Sequence, residues 1–233
     1  MHPEEKWLPG KIKKGFKPGQ AGSVELEDGT KYDITVDMSK ECLPADEEAL
    51  GMFDNMVKMN NLNEPVILHN LRSRFKAKKI YTYIGNILIA VNPFELLPIY
   101  TPEILDQYKD GGGRSQPPHI YAIADFAYQG MTANNLSQSV VISGESGAGK
   151  TETMKLVLQF IAEASGRAAK QGSAGDKQES LEQQILKSNP VMEAFGNAKT
   201  TRNNNSGRFG KWTEVLCDRS GAIVGGSIIE CHL

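Results

Sequence analysis

The feature that most constrains this chain is the octet Gly144-Glu145-Ser146-Gly147-Ala148-Gly149-Lys150-Thr151, which fits the pattern GxxxxGK[ST]. The glycines let the backbone curl with its N–H groups turned inward, forming a cavity for phosphate oxygens. Lys150 adds a compact positive charge that reaches terminal phosphates, and Thr151 adds a hydroxyl that can ligate Mg²⁺. From average residue usage, such an octet arises by chance in about one chain of this length in a hundred. Its surroundings narrow that further. Val140-Val141-Ile142 precedes it, a short apolar run of the kind that forms a strand buried on both faces. Met154, Val157, Leu158 and Ile161 follow it and share one face of a helix. That helix would turn its positive N-terminal end toward a bound anion. Strand, phosphate loop and helix in this order predict an α/β fold, a parallel-containing sheet of the P-loop NTPase type with helices on both faces.

The rest of the chain divides by pattern. Ser23–Glu27 and Tyr32–Val36 alternate apolar and polar residues about Asp28-Gly29, which predicts a hairpin within a small β-module over residues 7–37. Leu43–Glu48 reads as a polar linker. Met52, Met56 and Met59 fall at helical spacing and predict the core-facing side of a helix. Ile80–Val91 is β-rich, broken at Gly85-Asn86, and ends at Asn92-Pro93. Pro117–Asn134 reads as a helix with Ile120, Ile123, Ala127 and Met131 on one face. Ser165–Ser180 is Gly, Ala and charge without a period, an exposed loop. Leu181–Ala198 is helical, with Pro190 placed to start a second helix. Lys211–Cys217 and Ala222–Cys231 read as strands joined by a turn at Asp218–Gly221.

Composition excludes several classes. A net charge of −2 and a pI near 6.1 argue against nucleic-acid binding, which needs clustered Lys and Arg. The longest apolar run, Ile87–Val91, is far too short for a membrane span. The opening Met1-His2-Pro3-Glu4-Glu5 lacks the apolar stretch of a signal peptide. Cys42, Cys217 and Cys231 lie far apart, without metal-ligand spacing, and read as reduced and buried, which points to the cytosol.

Several motifs together resemble the myosin family. GESGAGKTE over Gly144–Glu152 is the myosin form of the phosphate loop. Asn92-Pro93-Phe94 followed by Pro98-Ile99-Tyr100 is similar to the family's purine-binding loop. Glu193-Ala194-Phe195-Gly196-Asn197-Ala198-Lys199-Thr200 with Arg202–Ser206 and Phe209-Gly210-Lys211 resembles the approach to switch I and its continuation. The likeness runs from about residue 50 to the end, and Trp7 to about residue 40 resembles the SH3-like module of many myosins. It implies two domains: an SH3-like β-module and linker over 1–48, and the N-terminal part of a motor domain over 49–233.

The resemblance implies ATP and Mg²⁺ as ligands, actin filaments as partner, and a cytoplasmic, cytoskeletal location. It implies that Asn92, Pro93 and Tyr100 border the adenine, and that Gly144, Glu145, Ser146, Gly147, Ala148, Gly149 and Lys150 hold the phosphates. Thr151 would ligate Mg²⁺, and Asn203 would touch the nucleotide. Ser206 would sit beside the γ-phosphate and the attacking water, and Arg208 would pair with a switch II glutamate. The chain departs from the family at Gly207, where a serine hydroxyl would otherwise face the metal. Switch II, the transducer strands and the actin cleft are expected beyond Leu233. The ATPase activity of this polypeptide alone is therefore left open, and the alternative is a nucleotide-binding fragment without motor activity. A freestanding nucleotide kinase is disfavoured, because no Asp follows a second apolar run as a Mg²⁺ partner. Asn92-Pro93-Phe94 and Glu193–Asn205 disfavour a kinesin-like reading.

Overall fold

Asp28 and Gly29 reverse the chain as their types predict. In the computed structural model, which describes residues 7–14, 17, 19–60, 62–170 and 181–232, Gly29 takes φ 83° and Asp28 Oδ1 accepts the Thr30 N–H at 2.9 Å. The turn belongs to an antiparallel sheet of β1 (Gly10–Lys14), β2 (Gly22–Leu26) and β3 (Lys31–Ile34) in that order. β3 stops at Ile34, short of the expected Val36. Thr35 instead caps α1 (Val36–Glu41), its hydroxyl accepting the Met38 N–H at 3.3 Å. A Thr acceptor ahead of a free N–H turns the chain into a helix, and it outweighs the β preference of Val36.

Two compact units divide the chain, Met1–Pro93 and Phe94–Leu233. In the first, Met52, Met56 and Met59 do not share a helix. Met56–Lys58 is a single 3-10 turn capped by Asn55, and Met52 is 53% exposed. Met56 and Met59 are nevertheless core residues, packed with Ala49 and Val66. The helix lies further on, as α2 (Glu64–Lys76). Asn63 accepts the Val66 N–H at 3.1 Å and Pro65 stands in the first turn, local signals that set the start of a helix the Met spacing had placed elsewhere. Phe53, Ile67, Leu71 and Ile84 close over this core. Fully buried Asn70 treats Phe53 as a strand neighbour would, accepting its N–H at 2.8 Å and donating to its carbonyl at 3.1 Å.

The segment Ile80–Val91 folds as expected. β4 (Tyr81–Ile84) and β5 (Ile87–Ala90) pair antiparallel about Gly85, which takes φ 61°. Arg74, 2% exposed, ties α2 to this hairpin. Its Nε donates to Thr82 Oγ1 at 2.8 Å, one Nη to the Tyr81 carbonyl at 2.7 Å, and the other to Asp54 Oδ1 at 2.5 Å. The hairpin leads directly to Asn92 and Pro93, where the first unit ends.

The second unit opens with α3 (Pro102–Tyr108), α4 (Ile120–Asn134) and α5 (Lys150–Lys170). The buried face of α4 is not the expected Ile120, Ile123, Ala127, Met131. Apart from Ile120, that stripe is half-buried, and the core side is Tyr121, Ala124, Asp125 and Tyr128. α5 packs against this side with Val157, Leu158 and fully buried Phe160. α5 also runs through Ser165–Lys170, where a loop was expected. Arg167, Ala168, Ala169 and Lys170 are strong helix formers and outweigh Gly166. Residues 171–180 of that expected loop lie outside the described residues. α6 (Leu181–Gly196) is one helix rather than two and carries Pro190 inside it.

Val140-Val141-Ile142 does not form the expected buried strand. It lies outside every sheet, and Val141 is 83% exposed. Strand formation requires N–H and C=O partners on a neighbour, and a parallel neighbour arrives only through a long crossover. Among the described residues the sheets are antiparallel, with parallel pairing limited to the bridge Asn55↔Tyr83. After α6 come the two-residue strands β6 (Asn197–Ala198) and β7 (Ser206–Gly207), then the hairpin of β8 (Gly210–Cys217) and β9 (Ile223–His232). Its turn at Asp218–Gly221 is the expected one. Asp218 Oδ1 accepts from Ser220 N–H at 2.8 Å, and Tyr128 of α4 donates its hydroxyl to the Gly221 carbonyl at 3.0 Å. Cys42 and Cys217 are free thiols, half-buried rather than buried, and the side chain of Cys231 lies outside the described residues.

Candidate nucleotide-binding site

The phosphate-loop octet gives a tight turn followed at once by a helix. Gly147 and Gly149 take φ 81° and 94°, a left-handed region that costs other residues energy and glycine little. Ala148 N–H closes the turn on the Glu145 carbonyl at 3.2 Å. α5 starts at Lys150, and Thr153 returns both its N–H and its hydroxyl to the Gly149 carbonyl, each at 2.9 Å. Lys150 folds over its own loop, donating from Nζ to the carbonyls of Gly144 at 2.7 Å and Glu145 at 3.0 Å. Thr151 stands exposed in the first helical turn.

A second loop lies on the first. β6 and β7 pair Asn197 with Gly207 and Ala198 with Ser206, which closes residues 199–205 into a narrow loop. Thr200 Oγ1 accepts the N–H groups of Arg202 at 3.3 Å and Asn203 at 3.0 Å. Asn205 N–H returns to Asn203 Oδ1 at 3.0 Å, the local bonding that suits Asn to turns. Across to the phosphate loop, Ser146 Oγ donates to Ser206 Oγ at 2.8 Å and lies 3.0 Å from Thr200 Oγ1. Ser206 is 3% exposed and Ser146 half-buried, so this contact is partly shielded from water. A Cβ on Gly147 would meet the Arg202 carbonyl at 3.3 Å and Asn203 Cβ at 3.6 Å. The Arg202 guanidinium also pairs with Glu145.

The expected site residues thus fall into groups. Gly144–Lys150, Asn203 and Ser206 share one place. Arg208 follows β7; its N–H donates to the Gly196 carbonyl at 2.9 Å and its side chain is exposed. Asn92 and Pro93 end the first unit, and Tyr100 belongs to the second. Thr200 and Arg202, which hold the second loop to the first, were not singled out from sequence. No spacing rule reaches across the 54 residues between Ser146 and Thr200.

Tyr100 sits against a buried aromatic group. Its ring centroid is 5.5 Å from His119 and 6.3 Å from Tyr121. His119 is 4% exposed, and burial pushes its pKa down to about 4. Burial, then the neighbouring Tyr100, push the Tyr121 hydroxyl up to about 12. His119 Nδ1 accepts the Tyr121 N–H at 3.0 Å, capping α4, so Nε2 carries the hydrogen that reaches the Ile99 carbonyl at 3.0 Å.

A glycine-built phosphate loop heading a helix, with a hydroxyl-bearing loop seated on it, suits a polyphosphate ligand. Residues 53–233 match the family of the myosin head (motor domain), and the chain belongs to that family. It is 46% identical to Myosin-9 of Arabidopsis thaliana over 228 residues, which is 97% of this chain and 14% of that protein. It is 44% identical to the high molecular weight form of myosin-1 of Acanthamoeba castellanii over 233 residues, 100% of this chain and 14% of that protein. Myosin-17 of Arabidopsis thaliana is 49% identical over 187 residues, 79% of this chain and 12% of that protein. The chain therefore spans about one seventh of the length of the first two relatives (14% of each). Among the described residues no helix is long and apolar enough to cross a membrane.

Proposed function

We propose that the chain is the ATP-binding portion of an actin-based motor, whose full reaction is ATP hydrolysis coupled to movement along actin filaments. Family membership supports this reading, and one observation carries it at the site: the loop of Thr200–Ser206 is hydrogen-bonded to the phosphate loop through Ser146, with Ser206 2.8 Å away. Two loops in contact can answer together to the terminal phosphate of a nucleotide. In this reading the backbone N–H groups around Gly147 and Gly149 receive the phosphate oxygens, and Lys150 exchanges its two carbonyl partners for the β- and γ-phosphates. Ser206 orders the water that attacks, and Asn203 touches the nucleotide. Asn92, Pro93 and Tyr100 border the adenine.

The donor set fits Mg²⁺. Among the described residues no three His, Cys, Asp or Glu side chains gather to cage a metal. That agrees with an ion held chiefly by phosphates and water, with the exposed Thr151 hydroxyl as the chain's own ligand. Mg²⁺ held there would supply positive charge against the phosphates. Gly207 offers no side-chain oxygen to it. The sequence pattern further supports an SH3-like module and linker over 1–48, and a motor segment over 49–233 that contributes to a P-loop type α/β sheet. The protein would act in the cytoplasm on the cytoskeleton.

Lys150→Ala tests the site. Hydrogen bonds to charged groups are each worth about 1.5–3 kcal/mol, so affinity for a fluorescent ATP analogue falls at least about tenfold. Unchanged thermal unfolding would show that the loop itself persists. Equal affinities in the two proteins would remove Lys150 from the phosphate site and the proposal with it.

A further inference from the structure

Tyr100 is attached to the phosphate-loop helix through buried groups that the nucleotide reading does not use. His119 Nε2–H donates to the Ile99 carbonyl at 3.0 Å, and the Tyr121 hydroxyl donates to the Tyr100 carbonyl at 3.4 Å. The donors are the N-cap and a first-turn residue of α4, and both rings pack on Tyr100. The Tyr121 ring also lies 5.6 Å from Phe160, a fully buried residue of α5. α5 begins at Lys150. A continuous set of contacts therefore runs from the backbone of residues 99 and 100, through the start of α4, to the helix that heads the phosphate loop. Its members are aromatic, with few rotamers, so the separation of its ends is stiff.

We infer that His119 and Tyr121 are positioning residues for base recognition, fixing Tyr100 at a set distance from the phosphate loop so that a nucleotide of the right length contacts both at once. The inference rests on the reading of Tyr100 as part of the base site. Two tethered subsites gain from each other only while their spacing is held. Loosening the clasp should then weaken a ligand that spans both subsites, and leave a ligand of the phosphate subsite unaffected.

His119→Asn separates the two jobs of the imidazole. Asn is a good helix cap, so its side-chain oxygen can still accept the Tyr121 N–H. Its side chain is too short to reach the Ile99 carbonyl. Tyr121→Phe removes only the second clasp and keeps the ring. Titrations of the wild-type protein and both variants with MgATP and with Mg-tripolyphosphate, followed by calorimetry, give the readout. The expected result is a loss of roughly threefold to tenfold in ATP affinity for each variant, the range for one hydrogen bond, with tripolyphosphate affinity unchanged. Parallel loss of both ligands would make the cluster merely structural and overturn the inference. Unchanged ATP affinity in both variants would do the same. A wild-type protein that binds tripolyphosphate as tightly as ATP would show that no base site is being positioned. A wild-type protein that binds neither ligand would instead overturn the nucleotide reading itself.

Discussion

Replacing Arg74 by methionine separates a buried clasp from a surface ion pair. The guanidinium makes three hydrogen bonds, but their surroundings differ. Thr82 is 1% exposed and Arg74 itself 2%, while the Asp54 side chain is 60% exposed. Methionine matches the aliphatic stem and removes every donor, leaving Thr82 Oγ1 and the Tyr81 carbonyl without Arg74. Hydrogen bonds to a charged group are worth about 1.5–3 kcal/mol each, so loss of the two buried ones should make Arg74→Met cost roughly 3–6 kcal/mol. The Asp54 carboxylate is 60% exposed and returns to water, so solvent screens its side of the pair. Asp54→Asn keeps an amide oxygen that can still accept from the Arg74 Nη and takes away only the charge, so it should cost less than Arg74→Met. For a chain of this size about 2–4 °C accompanies each kcal/mol, which separates the two variants by several degrees in a thermal scan. Urea unfolding with an unchanged slope gives an independent midpoint. Arg74 also holds the hairpin that leads to Asn92 and Pro93, which the proposed function places beside the adenine. Equal destabilisation by the two substitutions would refute the argument, since burial would then not decide the strength of the clasp.

Two further outcomes follow from local geometry. Gly207 does not take a left-handed φ, and a Cβ there would meet Asn197 Oδ1 at 3.4 Å, a buried oxygen with no partner. Gly207→Ser should supply a donor to that oxygen and restrict the unfolded chain, raising stability by about 1 kcal/mol; a lower unfolding midpoint would show that the added atoms do not fit. His119 takes up its proton near 6.5 in an unfolded chain and only at about 4 when folded. The unfolded state then binds more protons across that window, so stability falls as pH drops from 6.5 toward 4, by about 3 kcal/mol at 1.36 kcal/mol per pH unit. Above pH 6.5 the group contributes no slope. Unfolding midpoints of wild type and His119→Asn against pH isolate this contribution, and parallel profiles would contradict it.

The family, the glycine turn at Gly144–Thr151 and most other turns were legible in the residues, because each depends on groups close in sequence. Glycine supplies the left-handed angles of the Gly144–Thr151 turn, and Asp28-Gly29 and Asp218–Gly221 reverse the chain whatever lies around them. Tertiary structure decided what depends on a partner. Met56 and Met59 reach the core without a helix, because Val66 and Ala49 are there to receive them. α4 turns Tyr121 and Tyr128 inward, since each hydroxyl finds a carbonyl, at Tyr100 and at Gly221. The run Val140–Ile142 stays out of any ladder, because apolar composition supplies no hydrogen-bond partner. The meeting of Ser146 with Thr200 and Ser206 was hidden for the same reason. A hydroxyl's contacts are set by which backbone arrives beside it, and two loops more than fifty residues apart meet only when the helices between them have packed.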